Sequence, residues 1–208
     1  MPNADHANAI VQSNKGELFG HPKGLYVCFA TELWERFSFY GMKYLLLLYV
    51  TKYHLFSDGE GLEVLGSYAG LVYALPVIGG MLADRYLGMS KAVVFGGILL
   101  CIGHLLMAVE GHQAVRYVAG TILTTDLSLA DGSVLLAGTT LAETVKIQDL
   151  AALNIFYLAL AFIVVGVGFL KPNISTIVGQ LYDKDDPRRE SGFTIFYMGI
   201  NLGSFAAT

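Results

Sequence analysis

Residues 25–50 are apolar enough to cross a bilayer, yet Glu32, Glu35, Arg36 and Lys43 lie inside that run. Each such charge at the centre of a membrane helix costs about 2.5–3.5 kcal/mol, so four unpaired ones cancel most of what the apolar residues contribute. The charges must pair or meet water. At 100° per residue, Glu32, Glu35, Arg36, Tyr40 and Lys43 fall at about 0°, 300°, 40°, 80° and 20°, one polar stripe roughly 16 Å long. Leu33, Trp34, Phe37 and Gly41 occupy the other side. A helix with a charged inner stripe and an apolar back belongs against a water-filled cavity within a bundle, the arrangement found in transport pathways and proton relays.

The rest of the chain agrees with a membrane setting. It is 54% hydrophobic and 14% charged, with a mean hydropathy of +0.55, which excludes an ordinary soluble domain. A net charge of −4 offers no basic face for nucleic acid. The first twenty residues lack the apolar core of a cleavable signal, so insertion through the first helix is expected. Cys28 and Cys101 lie in different apolar segments without a His or second Cys at metal spacing and read as packing residues.

Five membrane segments follow, at residues 25–50, 65–86, 90–110, 152–178 and from Ser191 onward. The expected organisation is a cytoplasmic segment at 1–24, helices one to three within 25–110, an exterior insertion at 111–150, and helix four with a truncated helix five at 151–208. Pro76 and Pro172 predict kinks, and Gly70, Gly79, Gly80, Gly96 and Gly97 allow close helix contact. Lys15, Lys23, Arg85, Lys91, Lys184, Arg188 and Arg189 fall on one side, against Lys52, Arg116 and Lys146 on the other, which predicts a cytoplasmic N-terminus. The 111–150 stretch, with Asp126 and Asp131 at its centre, is too polar to span. Asp131-Gly132 between Leu127, Leu129 and Val134, Leu136 is a hairpin signal, and 140–147 alternates, so the insertion is either a small β-rich lid or an unstructured loop. The final segment ends without a polar flank, as expected of the N-terminal part of a longer polypeptide.

Glu32-Leu-Trp-Glu35-Arg36 resembles the Glu-x-x-Glu-Arg motif on the first helix of the proton-dependent oligopeptide transporters, a branch of the major facilitator superfamily. Gly79-Gly-Met-Leu-Ala-Asp84-Arg-Tyr-Leu-Gly88, Gly168-Phe-Leu-Lys171-Pro172-Asn173 and Phe196-Tyr-Met-Gly-Ile-Asn201-Leu-Gly203-Ser resemble the family's motifs on helices two, four and five. The resemblance implies an all-α, multi-pass protein of the bacterial inner membrane, whose complete form has about twelve helices in two pseudo-repeats with the substrate site between them. It implies inward symport of di- and tripeptides with protons, no enzymatic activity and no cofactor beyond the coupling proton. The implied partners are small peptides, membrane lipids and the C-terminal half of the same transporter.

By residue, the resemblance assigns proton coupling to Glu32, Glu35, Arg36 and Lys171, with Lys171 pairing to Glu32 or Glu35 when no substrate is bound. Arg36 and Lys171 are implied to hold the peptide carboxylate. Tyr40, Lys43, Tyr73 and Asn201 match further substrate-binding positions, and Asp84 and Arg85 a gating position; Asp84 reads equally well as a cap for the next helix. Lys43 stands where many members have Arg, and Gly66 where animal members carry a proton-handling His. The insertion is longer than the family predicts. Independently of the family, two carboxylates at i, i+3 in low dielectric repel while the adjacent Arg36 favours ionisation, so the pair is expected to titrate as one unit. Lys171, the only cation of helix four, needs a counter-charge. The competing readings are transport of another small anion or peptide-like compound on the same scaffold, and a non-transporting receptor or scaffold.

Overall fold

The computed structural model describes residues 16–129 and 132–208. Five helices dominate it: α1 Lys23–Leu48, α2 Asp58–Leu82, α3 Met89–Met107, α4 Leu150–Gln180 and α5 Arg189–Ala206. A short antiparallel pair, β1 Glu17–Leu18 with β2 His21–Pro22, precedes α1. Single π-helical turns extend α1 over Tyr49–Tyr53 and α2 over Ala83–Leu87.

Local chemistry explains the boundaries. The sequence reading starts helix two at residue 65, but a capping box carries it back to Asp58. Ser57 Oγ accepts from the Glu60 amide at 3.3 Å, and Glu60 Oε2 accepts from the Ser57 amide at 2.7 Å. Asp149 caps α4, accepting from the Ala152 amide at 3.1 Å. Between α2 and α3 the chain reverses at Gly88, whose φ of +79° only glycine adopts without strain. Gly88 is the N-cap of α3 and no side chain caps that helix, so the reading of Asp84 as its cap is incorrect. Asp84 lies in the π turn, one turn too early to reach the α3 amides.

Among the described residues three helices are long and apolar enough to cross a membrane, over Asp58–Leu87, Met89–Met107 and Leu150–Gln180; α1, with its charges, and α5, also expected to span, are not among them. Half of the α4 window is buried, against 17% and 22% for those of α2 and α3, which makes α4 the central post. It packs between α2 and α3, while α1 packs mainly on α5. Glycine sets these distances. A Cβ on Gly79 would stand 2.1 Å from the Gly168 carbonyl, the group that Pro172, lacking an N–H, leaves without its helical partner. The close approach of α2 thus covers a backbone oxygen that lipid could not satisfy.

The insertion resolves as β structure. β3 Val115–Tyr117 pairs antiparallel with β6 Val145–Ile147, Ile122 bridges Thr140, and β4 Leu127–Ser128 pairs with β5 Val134–Leu135. These nested pairings form one hairpin arm. Asp131, half of the expected turn, lies outside the described residues. The expected 140–147 strand is shorter, since regular pairing covers only Val145–Ile147 and the single Thr140 bridge. The arm is tied to the end of α1: the Ala114 amide donates to the Tyr53 carbonyl at 2.9 Å, Tyr53 Oη to the Gly111 carbonyl at 2.9 Å, and Gln148 Nε2 to the His54 carbonyl.

Candidate functional site

Two apolar clusters fill the bundle, and the charges sit between them. One cluster holds Leu25, Cys28, Leu170, Ile174, Val178 and Phe196; the other holds Phe39, Leu46, Val72, Phe156, Ile163 and Val167. Along α1 the gap between clusters runs from Cys28 to Phe39, the stretch that carries Glu32, Glu35 and Arg36. Along α4 it falls after Val167, beside Leu170 and Lys171. Two helices therefore bring their polar residues to one level.

Within that layer Arg36 Nε lies 3.0 Å from Glu32 Oε1 and 2.7 Å from Glu35 Oε2. Glu32, Glu35 and Arg36 are 3%, 7% and 5% exposed, so helices cover most of the trio, while Glu35 also lines a cavity between α1, α3 and α4. The physical reason is the glycine on α5: a Cβ on Gly203 would stand 2.2 Å from the Leu33 carbonyl and 3.0 Å from Arg36 Cβ, which shows how tightly α5 closes over the charged turn. Tyr40 and Lys43, one to two turns further along the predicted stripe, remain half-buried. The apolar back is exposed as expected at Trp34 and Phe37, whose rings meet edge to face.

The geometry is asymmetric in charge. One guanidinium nitrogen serves two carboxylates, and Glu32 Oε2, Glu35 Oε1 and Arg36 Nη2 are buried without a hydrogen-bond partner among the described residues. Such a group needs a second cation, a proton or a ligand to be satisfied. Lys171 is the second cation in range, acting electrostatically on Glu32, Glu35 and Arg36. It does not form the Lys171–carboxylate pair implied by the resemblance. Its Nζ lies 5.0 Å from the Tyr73 ring centre instead, and no salt bridge to Glu32 or Glu35 occurs among the described residues. A half-buried ammonium that finds an aromatic face gives up less hydration than one drawn into the enclosed trio.

The other expected site residues are more dispersed. Asn201 Nδ2 donates to the Tyr197 carbonyl of its own helix at 3.1 Å. Tyr40 packs edge to face on Phe39, and Tyr73 is 61% exposed apart from Lys171. Asp84 and Arg85 are exposed in the π turn, where the Arg85 guanidinium covers the Tyr86 ring at 5.4 Å. His104 bonds Ser38 Oγ across to α1 through Nε2, while Nδ1 donates to the Leu100 carbonyl at 2.7 Å; it has the interhelical role its position suggests.

Sequence reasoning passed over two buried polar residues. Tyr68, 3% exposed, stacks on Phe39 at 6.1 Å, one turn from Glu35. His54, fully buried, is surrounded by Tyr49, Tyr53, Phe56 and Phe156 where the arm meets α1. Neither sits in a local motif, because each owes its burial to a partner distant in sequence.

A helical bundle with membrane-length apolar helices and paired charges enclosed at one level is that of an integral membrane protein. Comparison with known proteins fixes the family. The POT family model matches residues 90–208, and the chain belongs to that family. The chain is 38% identical over 212 residues to the uncharacterized transporter YclF of Bacillus subtilis (strain 168), covering 100% of itself and 35% of that protein. It is 37% identical to the di-/tripeptide transporter of Lactococcus lactis subsp. lactis (strain IL1403), covering 93% of itself and 33% of the relative. A crystal structure of a peptide transporter POT in complex with sulfate superposes with a TM-score of 0.71 at 38% identity, over 97% of this chain and 34% of that one. A POT family transporter in complex with 5-aminolevulinic acid gives 0.64 at 32% identity, over 95% and 34%. The chain thus spans about a third of the length of the relatives it matches.

Proposed function

We propose that the polypeptide carrying this chain imports di- and tripeptides together with protons across the bacterial inner membrane, its N-terminus in the cytoplasm. The observation that carries the reading is one guanidinium shared by two enclosed carboxylates, with Lys171 in electrostatic range but not paired. A proton on either carboxylate relieves the repulsion between them and leaves one positive charge of Arg36 and Lys171 unbalanced, which a peptide carboxylate can then neutralise. Binding and protonation therefore favour each other at one site, as coupled transport requires. Tyr40, Lys43, Tyr73 and Asn201 are assigned to substrate contact, and Asp84 with Arg85 to gating. The orientation follows from Lys23, Arg85, Lys91, Lys184, Arg188 and Arg189 at one end of the helices.

A second reading, transport of another small anion or peptide-like compound, is favoured by the solved relatives in complex with sulfate and with 5-aminolevulinic acid. The decisive variant is Glu35→Gln in the full-length transporter reconstituted in liposomes. Proton-driven accumulation of a labelled dipeptide should disappear while peptide counterflow, which moves no net proton, stays partly intact. Undiminished accumulation would reduce the trio to a structural ion-pair knot. Competition by unlabelled peptides but not by sulfate separates the two cargo readings.

A further inference from the structure

Two cavities meet at Tyr68. One, of about 650 Å³, lies between α2 and α4 at the N-terminal end of α2, and its polar lining is Glu60, Glu63, Ser67 and Tyr68 of α2 with Tyr157 of α4. The four α2 residues descend one face of that helix at helical spacing. The other, of about 440 Å³, lies between α1, α3 and α4, and Glu35, Ser38, His104 and Tyr68 line it. Among the described residues Tyr68 alone lines both. Its side chain is 3% exposed, its ring is fixed by the stack on Phe39, and the Arg36 guanidinium lies 5.7 Å from that same Phe39 ring. The Tyr68 hydroxyl and Glu35 Oε1 are both buried without a hydrogen-bond partner among the described residues. Each such group costs about 1–3 kcal/mol unless something bonds it, and each borders space of a size that water occupies when polar partners are present.

We propose that Tyr68 is the inner station of a proton-entry path that begins at Glu63 on the outer end of α2 and delivers to Glu35. Glu60 is committed to the helix cap, accepting from Ser57 N and Ser57 Oγ, which leaves Glu63 as the carboxylate at the mouth that forms no ion pair among the described residues. From there Ser67 stands one turn down and Tyr68 beside it. Protonated Glu63 releases its proton through water to the phenol oxygen as the hydroxyl proton of Tyr68 passes, directly or through one water, to the Glu35 carboxylate, and Glu63 is reprotonated from the outer medium. These proton transfers carry one net proton from Glu63 to Glu35, no electron pair leaves its atom, the water is unchanged, and the phenol is regenerated with its hydrogen reversed. The groups facing Glu35 are Glu32 and Arg36 from α1, Tyr68 from α2, Cys101 and His104 from α3, and Lys171 from α4. Of these only Tyr68 also borders the acidic vestibule.

The inference rests on the proposed proton coupling through Glu35, and the test separates the two. In the full-length transporter, Tyr68→Phe keeps the stack on Phe39 and removes only the relay oxygen. Proton-driven dipeptide accumulation in proteoliposomes should fall about tenfold, the lower range of what a positioned proton-transfer group contributes, while counterflow stays within twofold. Glu63→Gln should slow driven uptake several-fold and move its dependence on external pH, again without touching counterflow; it decides the matter alone if the Tyr68 variant does not assemble. Driven uptake within twofold of the parent in these variants overturns the path. An equal fall in driven uptake and counterflow also overturns it, since that is the signature of a packing defect. If Glu35→Gln abolishes accumulation and Tyr68→Phe does not, the path alone is wrong; if neither does, the coupling reading fails first.

Discussion

Helices α3 and α4 meet through backbone at Gly96 and Gly166, and helices α1 and α5 meet in the same manner at Gly199 and Gly203. A Cβ on Gly96 would stand 2.6 Å from the Gly166 carbonyl, and one on Gly166 2.8 Å from the Gly96 carbonyl; a Cβ on Gly203 would stand 2.2 Å from the Leu33 carbonyl. In lipid, where burying apolar surface gives no advantage over leaving it in the acyl chains, such backbone contact supplies dispersion and weak Cα–H···O attraction. The contents of the two seams differ. Around Gly96 and Gly166 stand Leu100 and Leu170, so at this level the α3–α4 seam is apolar. Beside Gly203 stands Arg36, and with it the Glu32–Arg36–Glu35 trio to which the proposed coupling assigns a change of pairing. Glycine sets the distance in both; under the proposed function, side-chain charge makes the α1–α5 seam the one that can switch.

The comparison breaks most visibly at Arg36. Arg36→Leu leaves two carboxylates enclosed without their cation, and the bundle should lose about 3–5 kcal/mol, read as a large drop in thermal unfolding temperature in detergent. Adding Glu35→Gln to that variant should recover much of the loss, because one of the two uncompensated charges is removed. A matching loss without any recovery would mean that Arg36 acts by packing alone. The glycines come next. Gly96→Ala and Gly203→Ala each force backbone apart and should each cost about 1–3 kcal/mol. Only Gly203→Ala should also impair proton-driven uptake at temperatures where both variants are folded, since it displaces the turn bearing Arg36. Equal effects on transport would erase the distinction between the seams.

The smallest effect lies outside the membrane. Hydrogen bonds from the Ala152 amide and from the His112 ring and amide hold Asp149 down to about 2 from an ordinary 3.8. A folded-state value below the unfolded one means that this contribution is fully present above about pH 4 and is lost as pH falls through 2. Acidification over that interval should therefore speed hydrogen exchange at the start of α4 and loosen the arm, with no change in the α3–α4 seam. Asp149→Asn should remove the pH dependence of that exchange; an unchanged pH profile in the variant would assign the loosening to another group.

Much of the bundle was legible because membrane helices announce themselves by length, hydropathy and flanking charge. The starts of helices one, three, four and five were read to within a few residues, and helix two failed only where the Ser57–Glu60 capping box, itself visible as Ser-x-x-Glu, was overlooked. The arm was half legible. Turn and alternation signals favoured β structure, but the pairing of Val115–Tyr117 with Val145–Ile147 spans the whole insertion, and no local pattern specifies so distant a partner.

The first-helix stripe shows where the division falls. Periodicity placed Glu32, Glu35 and Arg36 on one face, because 3.6 residues per turn is a property of the backbone and needs no neighbour. Whether that face meets water or protein is decided by which helix lies against it and how closely, and here Gly203 of α5 lies against the turn that bears Arg36. The same holds for Lys171, whose sequence context demands a counter-charge but whose contact with the Tyr73 ring depends on the rotation of α2 against α4. Tyr68 is the extreme case: unremarkable in its own helix, it acquires its place from Phe39 on one side and two cavities on the other. Sequence determined which groups had to be buried, through spacing and the cost of bare charge in lipid. Tertiary packing alone decided their partners, because the energy of a buried polar group is set by the few atoms within hydrogen-bonding distance, and those come from helices that are remote along the chain.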